Sequence, residues 1–205
     1  MKRPNRQTLV AAHERRAARS LMRRTTDAFL PPPQRAYAAY GAQTLVVPPT
    51  RIEGADCIEL GAGVIVHEHA WLLVQRRPNL PTPSLRIGDK CSLNRFVKIV
   101  ALGSVQLGEG VLVGDRVYIS DVEYLPWPDG EDTRPMTEPK PVVIGDRVLL
   151  GVAVIVKPGV TIGAEAYIGA GAVIHEDVPE GGLVVGNPAR LVRLRNPETG
   201  VWERV

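Results

Sequence analysis

Chemistry-bearing side chains are few in this chain and fall into small groups. Two of its four histidines form the run His67-Glu68-His69. On an extended strand, alternate positions point the same way, and a His-x-His pair of that kind can ligate zinc. No third ligand stands at a suitable spacing, since His13 and His175 are remote, so surface or interface histidines are expected and no metal. Asp121, Glu123 and Tyr124 make a second group, two carboxylates and a phenol able to exchange protons. Carboxylates at chain corners are ordinarily solvated. Arg190 and Arg193 make a third, with donors suited to phosphate. Cys57 and Cys91 lack metal-ligand spacing and do not build a disulfide scaffold, which fits a reducing cytoplasm.

The elements that position these groups are visible in a repeat. Ile144, Leu150, Val156, Ile162, Ile168 and Ile174 recur every six residues, and three of them begin an Ile-Gly pair. Neither a helix period nor strand alternation yields that spacing. A parallel β-helix does, because each short strand points one aliphatic residue inward. The repeat continues upstream in Ile87, Leu93 and Ile99, and after a two-residue slip in Leu107, Val113 and Ile119. Ile52, Ile58 and Val64 form an earlier, weaker set. The proline-rich segments 76–86 and 125–143 break the pattern and are expected as loops leaving the solenoid, where binding residues concentrate. Trp127, in the second, is a candidate binding residue or a contact to a neighbouring subunit.

The array divides the chain into an arm (1–45), a β-helix domain (46–193) and a tail (194–205). Residues 1–40 hold nine Lys/Arg against Glu14 and Asp27, a balance of +7, whereas the whole chain is +3. Ala11, Ala18, Leu21, Met22 and Phe29 share one helical face before Pro31-Pro32-Pro33 ends the helix. An arm packed on a neighbouring subunit is expected; weak contact with an anionic membrane surface is the alternative. Nucleic acid is not expected, because no recognition motif is present. No apolar run approaches a membrane span, and no apolar signal core follows the early arginines.

The stretch from Ile144 to Arg193, with PGVTIG, IGAGAV and VGNPAR in order, resembles the end of a hexapeptide-repeat acyltransferase. The likeness is to the branch with maltose, galactoside and xenobiotic acetyltransferases, and it covers about residues 52–193. It implies an all-β fold, a left-handed parallel β-helix, here with an N-terminal helical arm. It also implies a homotrimer, with acetyl-CoA in the groove between neighbouring subunits and no metal. Gly151, Val152, Ala153, Gly169, Ala170 and Gly171 match backbone beside pantetheine. His175 lies near the cofactor, Arg190 and Arg193 match basic residues near the CoA phosphates, and Asn94 matches an acceptor contact. The family's histidine base aligns with Tyr124. A phenol in water is almost wholly protonated near neutral pH, which makes Asp121 the nearest substitute base by sequence and His175 the next. Leu149 stands where many relatives carry tryptophan, and Glu176 would repel a phosphate.

Two functions follow from the resemblance. One is CoA-dependent acyl transfer, O- or N-acetylation of a sugar or other small hydroxylated acceptor, with Tyr124 in place of the histidine. The other is a catalytically inactive trimeric scaffold or regulator.

Overall fold

The computed structural model describes residues 30–78, 80–126 and 135–205. Trp127 and the apolar face of the arm lie outside the described residues. The remainder forms six complete coils of a triangular solenoid. The first sheet runs Ala39–Tyr40, Ile58–Leu60, Ser84–Ile87, Ser104–Leu107, Val142–Ile144, Thr161–Ile162. The second starts Leu45–Val46, Ile65–Val66, Ser92–Leu93, Leu112–Val113, Leu149–Leu150, Tyr167–Ile168. The third is Arg51–Glu53, Trp71–Val74, Lys98–Ala101, Tyr118–Ser120, Ile155–Val156, Val173–Ile174. Strand pairing from coil to coil is parallel throughout these six coils, consistent with the left-handed β-helix that the resemblance implies.

Hydrophobic burial at one residue per strand end builds the core. Ile144, Leu150, Val156, Ile162, Ile168 and Ile174 are all buried, as are Ile87, Leu93, Ile99, Leu107, Val113 and Ile119. Each hexad also buries a small residue four places on: Val148, Val154, Val160, Ala166 and Ala172 are closed to solvent. The same six-residue period carries this second ladder. Tyr37 and Tyr40 meet edge to face at 5.2 Å where the core begins.

The earliest set has a different register from the one its spacing suggests. Leu60 pairs with Ile87, and Ile52 with Leu72. The ladder therefore runs through Ile52, Leu60, Val66 and Leu72, while Ile58 and Val64 are buried beside it. The cause is a short 3₁₀ turn, Ala55–Cys57, entered through left-handed Gly54, which lengthens that corner. The slip after Ile99 falls at the same corner of its coil. So do the two large excursions, which span 75–83 and 121–141, because Ser84 and Val142 already belong to strands. All of the extra length leaves the solenoid at the corner from third sheet to first.

Both ends are also redrawn. The first coil starts at Ala39, inside the segment assigned to the arm. The tail is a β-hairpin: Gly182–Val185 joins the second sheet, and Arg190–Arg195 and Trp202–Arg204 extend it antiparallel to nine strands. Among the described residues no helix is long and apolar enough to cross a membrane.

Candidate active site

The corner between second and third sheets is a column of stacked turns. Its first residues, coil by coil, are Val47, His67, Asn94, Gly114, Gly151 and Gly169. Each donates its backbone N–H to the next coil; Asn94 bonds the Val113 carbonyl at 2.9 Å, and Gly151 the Ile168 carbonyl at 2.8 Å. The third residue of each turn takes a left-handed conformation in His69 (φ 64°), Phe96 (60°), Arg116 (59°), Ala153 (58°) and Gly171 (70°). That backbone favours glycine, yet only the last coil supplies one. Gly151 is fixed sterically, because a Cβ there would lie 2.7 Å from the Ala170 nitrogen; around Gly171 nothing lies within 4 Å. Asn94, Gly151, Val152, Ala153, Gly169, Ala170 and Gly171 thus line one edge. It is bulky in coils two to four and small in coils five and six.

His67 and His69 belong to this corner and not to a strand, since the neighbouring strands end at Val66 and resume at Trp71. They do not form a shared face. His67 Nδ1 lies 3.8 Å from Glu68, and His69 stacks on Phe96 with centroids 4.9 Å apart. The turn separates the side chains that an extended strand would have aligned. Among the described residues no group of three His, Cys, Asp or Glu is placed to hold a metal.

Asp121, Tyr124 and His175 lie on the third-to-first corner. Asp121 is fully buried. Its carboxylate accepts backbone N–H bonds from Leu102 at 3.0 Å and Gly103 at 2.6 Å, closing the turn made by the two-residue slip. Burial raises its pKa above the usual carboxylate range, against the opposing pull of those N–H donors. A carboxyl group turned into the backbone in this way is a turn cap, which corrects the expectation that carboxylates at this corner are solvated. Glu123 pairs with Lys157. Tyr124 is 64% exposed and its backbone bridges Met136 across the excursion. Val122 packs with Val100 and Leu102, and Met136 lies against that cluster. His175 follows Ile174 two coils on and shares a depression of about 130 Å³ with Glu176 and Arg190. Arg190 donates to the Ala189 carbonyl at 2.8 Å, whereas Arg193 pairs with Leu183 in the second sheet.

The candidates therefore stand on two corners, with the width of the third sheet between them. The strands between the two corners are two to four residues long. The sequence missed Glu123–Lys157 and the turn capped by Asp121, because both depend on coils stacking across insertions.

The family described as bacterial transferase hexapeptide (six repeats) matches residues 141–176. The galactoside O-acetyltransferase of Escherichia coli is 32% identical over 150 residues, covering 72% of each chain. The putative lipopolysaccharide biosynthesis O-acetyl transferase WbbJ of Escherichia coli is 32% identical over 127 residues, covering 57% of this chain; the chain spans only 63% of that relative's length. A hexapeptide-repeat-containing acetyltransferase of Vibrio cholerae, solved with acetyl coenzyme A, matches with a TM-score of 0.57 and 26% identity over 78% of this chain and 73% of its own.

Proposed function

The chain belongs to the hexapeptide-repeat acetyltransferase family, and on that premise we propose that it transfers an acyl group, acetyl in the first instance, from CoA to a sugar or other small hydroxylated acceptor. The observation that carries this reading is the second corner of coils five and six. Gly151 and Gly169 pack against the coil that follows while Gly171 faces open space, so the edge stands low there; in this proposal it serves as the channel for the donor, with Arg190, beside His175, beyond its end. Those residues suit a pantetheine arm and a phosphate.

The thioester supplies the activated acyl group. The acceptor oxygen or nitrogen bonds to the acyl carbon, the carbon–sulfur bond breaks, and the acceptor proton needs a base. In this proposal Asn94 orients the acceptor and Tyr124, exposed on the excursion, stands at the base position. With Asp121 and Glu123 both engaged, turnover is slow. General-base catalysis contributes about 10²–10⁴ in rate, and positioning still operates without it.

The candidates stand on two separate corners of one chain, and in this proposal a second copy completes the site, as in a homotrimer. An exposed column on the second sheet, Leu45 (55%), Leu112 (42%) and Tyr167 (43%), supports such packing. Free, buried Cys57 and Cys91 support a cytoplasmic location. Light scattering that gives a monomer at micromolar concentration would remove the trimer.

A second reading, an inactive scaffold, is favoured by the occupied carboxylates around Tyr124. Acetyl-CoA decides between them. At a hundred times its Kd it stabilises a binding protein by about 2.7 kcal/mol; no thermal shift favours the scaffold. With binding established, Tyr124→His raises turnover if only the base is lacking. Tyr124→Phe lowers it by about 10²-fold or more if the phenol takes the proton, and leaves it unchanged if the ring merely shapes the pocket.

A further inference from the structure

The outer surface of coils one to four, beside the second corner, is a two-column array of rings and cations. In the strand column, Arg51, Trp71, Lys98 and Tyr118 face outward in register. Arg51 lies 4.4 Å and Lys98 4.0 Å from the Trp71 ring centroid, and Lys98 lies 5.7 Å from that of Tyr118. In the corner column, His69 stacks on Phe96, and the Arg116 guanidinium lies 5.6 Å over the same ring. Phe96 holds a left-handed backbone while 48% exposed. A bulky side chain in that conformation costs free energy, and here little burial offsets it.

Charge is distributed unevenly over this surface. Arg51 pairs with Glu53 at 2.7 Å, and Arg95 pairs with Glu68. Lys98 and Arg116, on adjacent coils, have no carboxylate within ion-pair distance among the described residues. Lys98 is half-buried, and burial followed by the nearby Arg51 charge lowers its pKa. The nearby Glu53 carboxylate also acts on Lys98 but is taken up by Arg51 at 2.7 Å and by the Trp71 indole N–H at 3.0 Å, so an ammonium held over that indole and partly shielded from water gains from an incoming anion. Lys98 precedes the third-sheet core, and Arg116 adjoins the small-residue channel at Ala153. The pair thus flanks the end of the corner that holds Asn94.

We propose that Lys98 and Arg116 form an anion-recognition site, so that the acceptor is a sugar bearing a phosphate or a carboxylate. This deepens the transferase reading and rests on it for the word acceptor; the anion site itself does not. Phe96 and Trp71 hold the two cations in place through their ring faces.

The test is titration of the full chain with glucose 1-phosphate, glucuronate and glucose, followed by calorimetry at low salt. One or both anionic sugars should bind, with affinity falling as salt is added, and glucose should bind at least about tenfold more weakly. The anion that binds identifies the group. Lys98→Gln with Arg116→Gln should weaken that binding by about tenfold or more, with an unchanged melting temperature in the absence of ligand. Equal binding of all three sugars, no binding, or undiminished binding by the double variant would overturn the proposal. Acetyl-CoA separates the remaining cases. If the double variant loses acetyl-CoA affinity as well, the cations serve the donor's phosphates and the acceptor assignment fails. If the unaltered protein binds the anionic sugar but never acetyl-CoA, the transferase reading fails and the anion site stands.

Discussion

The first and second corners of the prism are built from the same backbone turn and carry different side chains. The first corner begins with glycine in every coil: Gly41, Gly61, Gly88, Gly108, Gly145 and Gly163. A Cβ on Gly145 would lie 2.6 Å from the Ala164 nitrogen, and one on Gly88 2.6 Å from the Gly108 carbonyl carbon. Beyond the glycines, Lys90–Glu109 and Arg147–Glu165 pair at 2.7 Å in solvent. The second corner accepts Val47, His67 and Asn94 in three coils and glycine in the other three. Its third position runs from His69, Phe96 and Arg116 to Ala153 and Gly171. Turn geometry therefore explains the first corner, where one steric demand repeats. It does not explain the second, where tight and open coils divide the edge into a bulky half and a channel.

The comparison can be broken most forcefully at Gly145. Gly145→Val drives a branched side chain into the backbone of the next coil and should cost about 3 kcal/mol or more, read as a lowered urea midpoint. A variant as stable as the parent would show that the first corner is not sterically set. Gly171→Phe is the counterpart on the second corner. Phe96 already occupies the equivalent place at φ 60°, and nothing lies near Gly171. The fold should lose only about 1 kcal/mol, while the ring fills the channel and acetyl-CoA affinity falls by about 10²-fold, a loss of about 2.7 kcal/mol. Retained affinity would move the donor away from this edge.

The third corner sharpens the contrast, since a side chain instead of glycine shapes it. Asp121→Ala leaves the Leu102 and Gly103 N–H groups without their acceptor in a buried turn and should cost about 1–3 kcal/mol, measured by chemical denaturation. Were Asp121 instead a catalytic base, the variant would lose turnover without losing stability. The smallest expected effects belong to the arginines. Arg190→Ala, beside the end of the channel, should weaken acetyl-CoA binding by about tenfold. Arg193→Ala, on the second sheet's outer face, should weaken it less. Equal losses would place both at the phosphates.

The hexad from Ile144 to Ile174 was legible because its spacing is local: each coil repeats the same short-range pattern, and burying one aliphatic residue per strand decides the core. The small residues of the second corner were picked out through the resemblance, and the folded chain gathers them on one edge. The register of Ile52, Leu60 and Val66 was not, because the 3₁₀ turn at Ala55–Cys57 adds length without leaving a mark in the aliphatic pattern. Asp121 and Glu123 read alike in sequence. Only the stacked coils separate them, placing the Leu102–Gly103 amides against one and Lys157 against the other. Trp71 and Lys98 were likewise unrelated in sequence, since a proline-rich excursion lies between them. Parallel pairing across that excursion sets them 4.0 Å apart. Residue spacing within a coil thus determined what lies inside this solenoid. Which side chains meet on its outside depended on how many residues each corner ejects, and only the folded chain counts them.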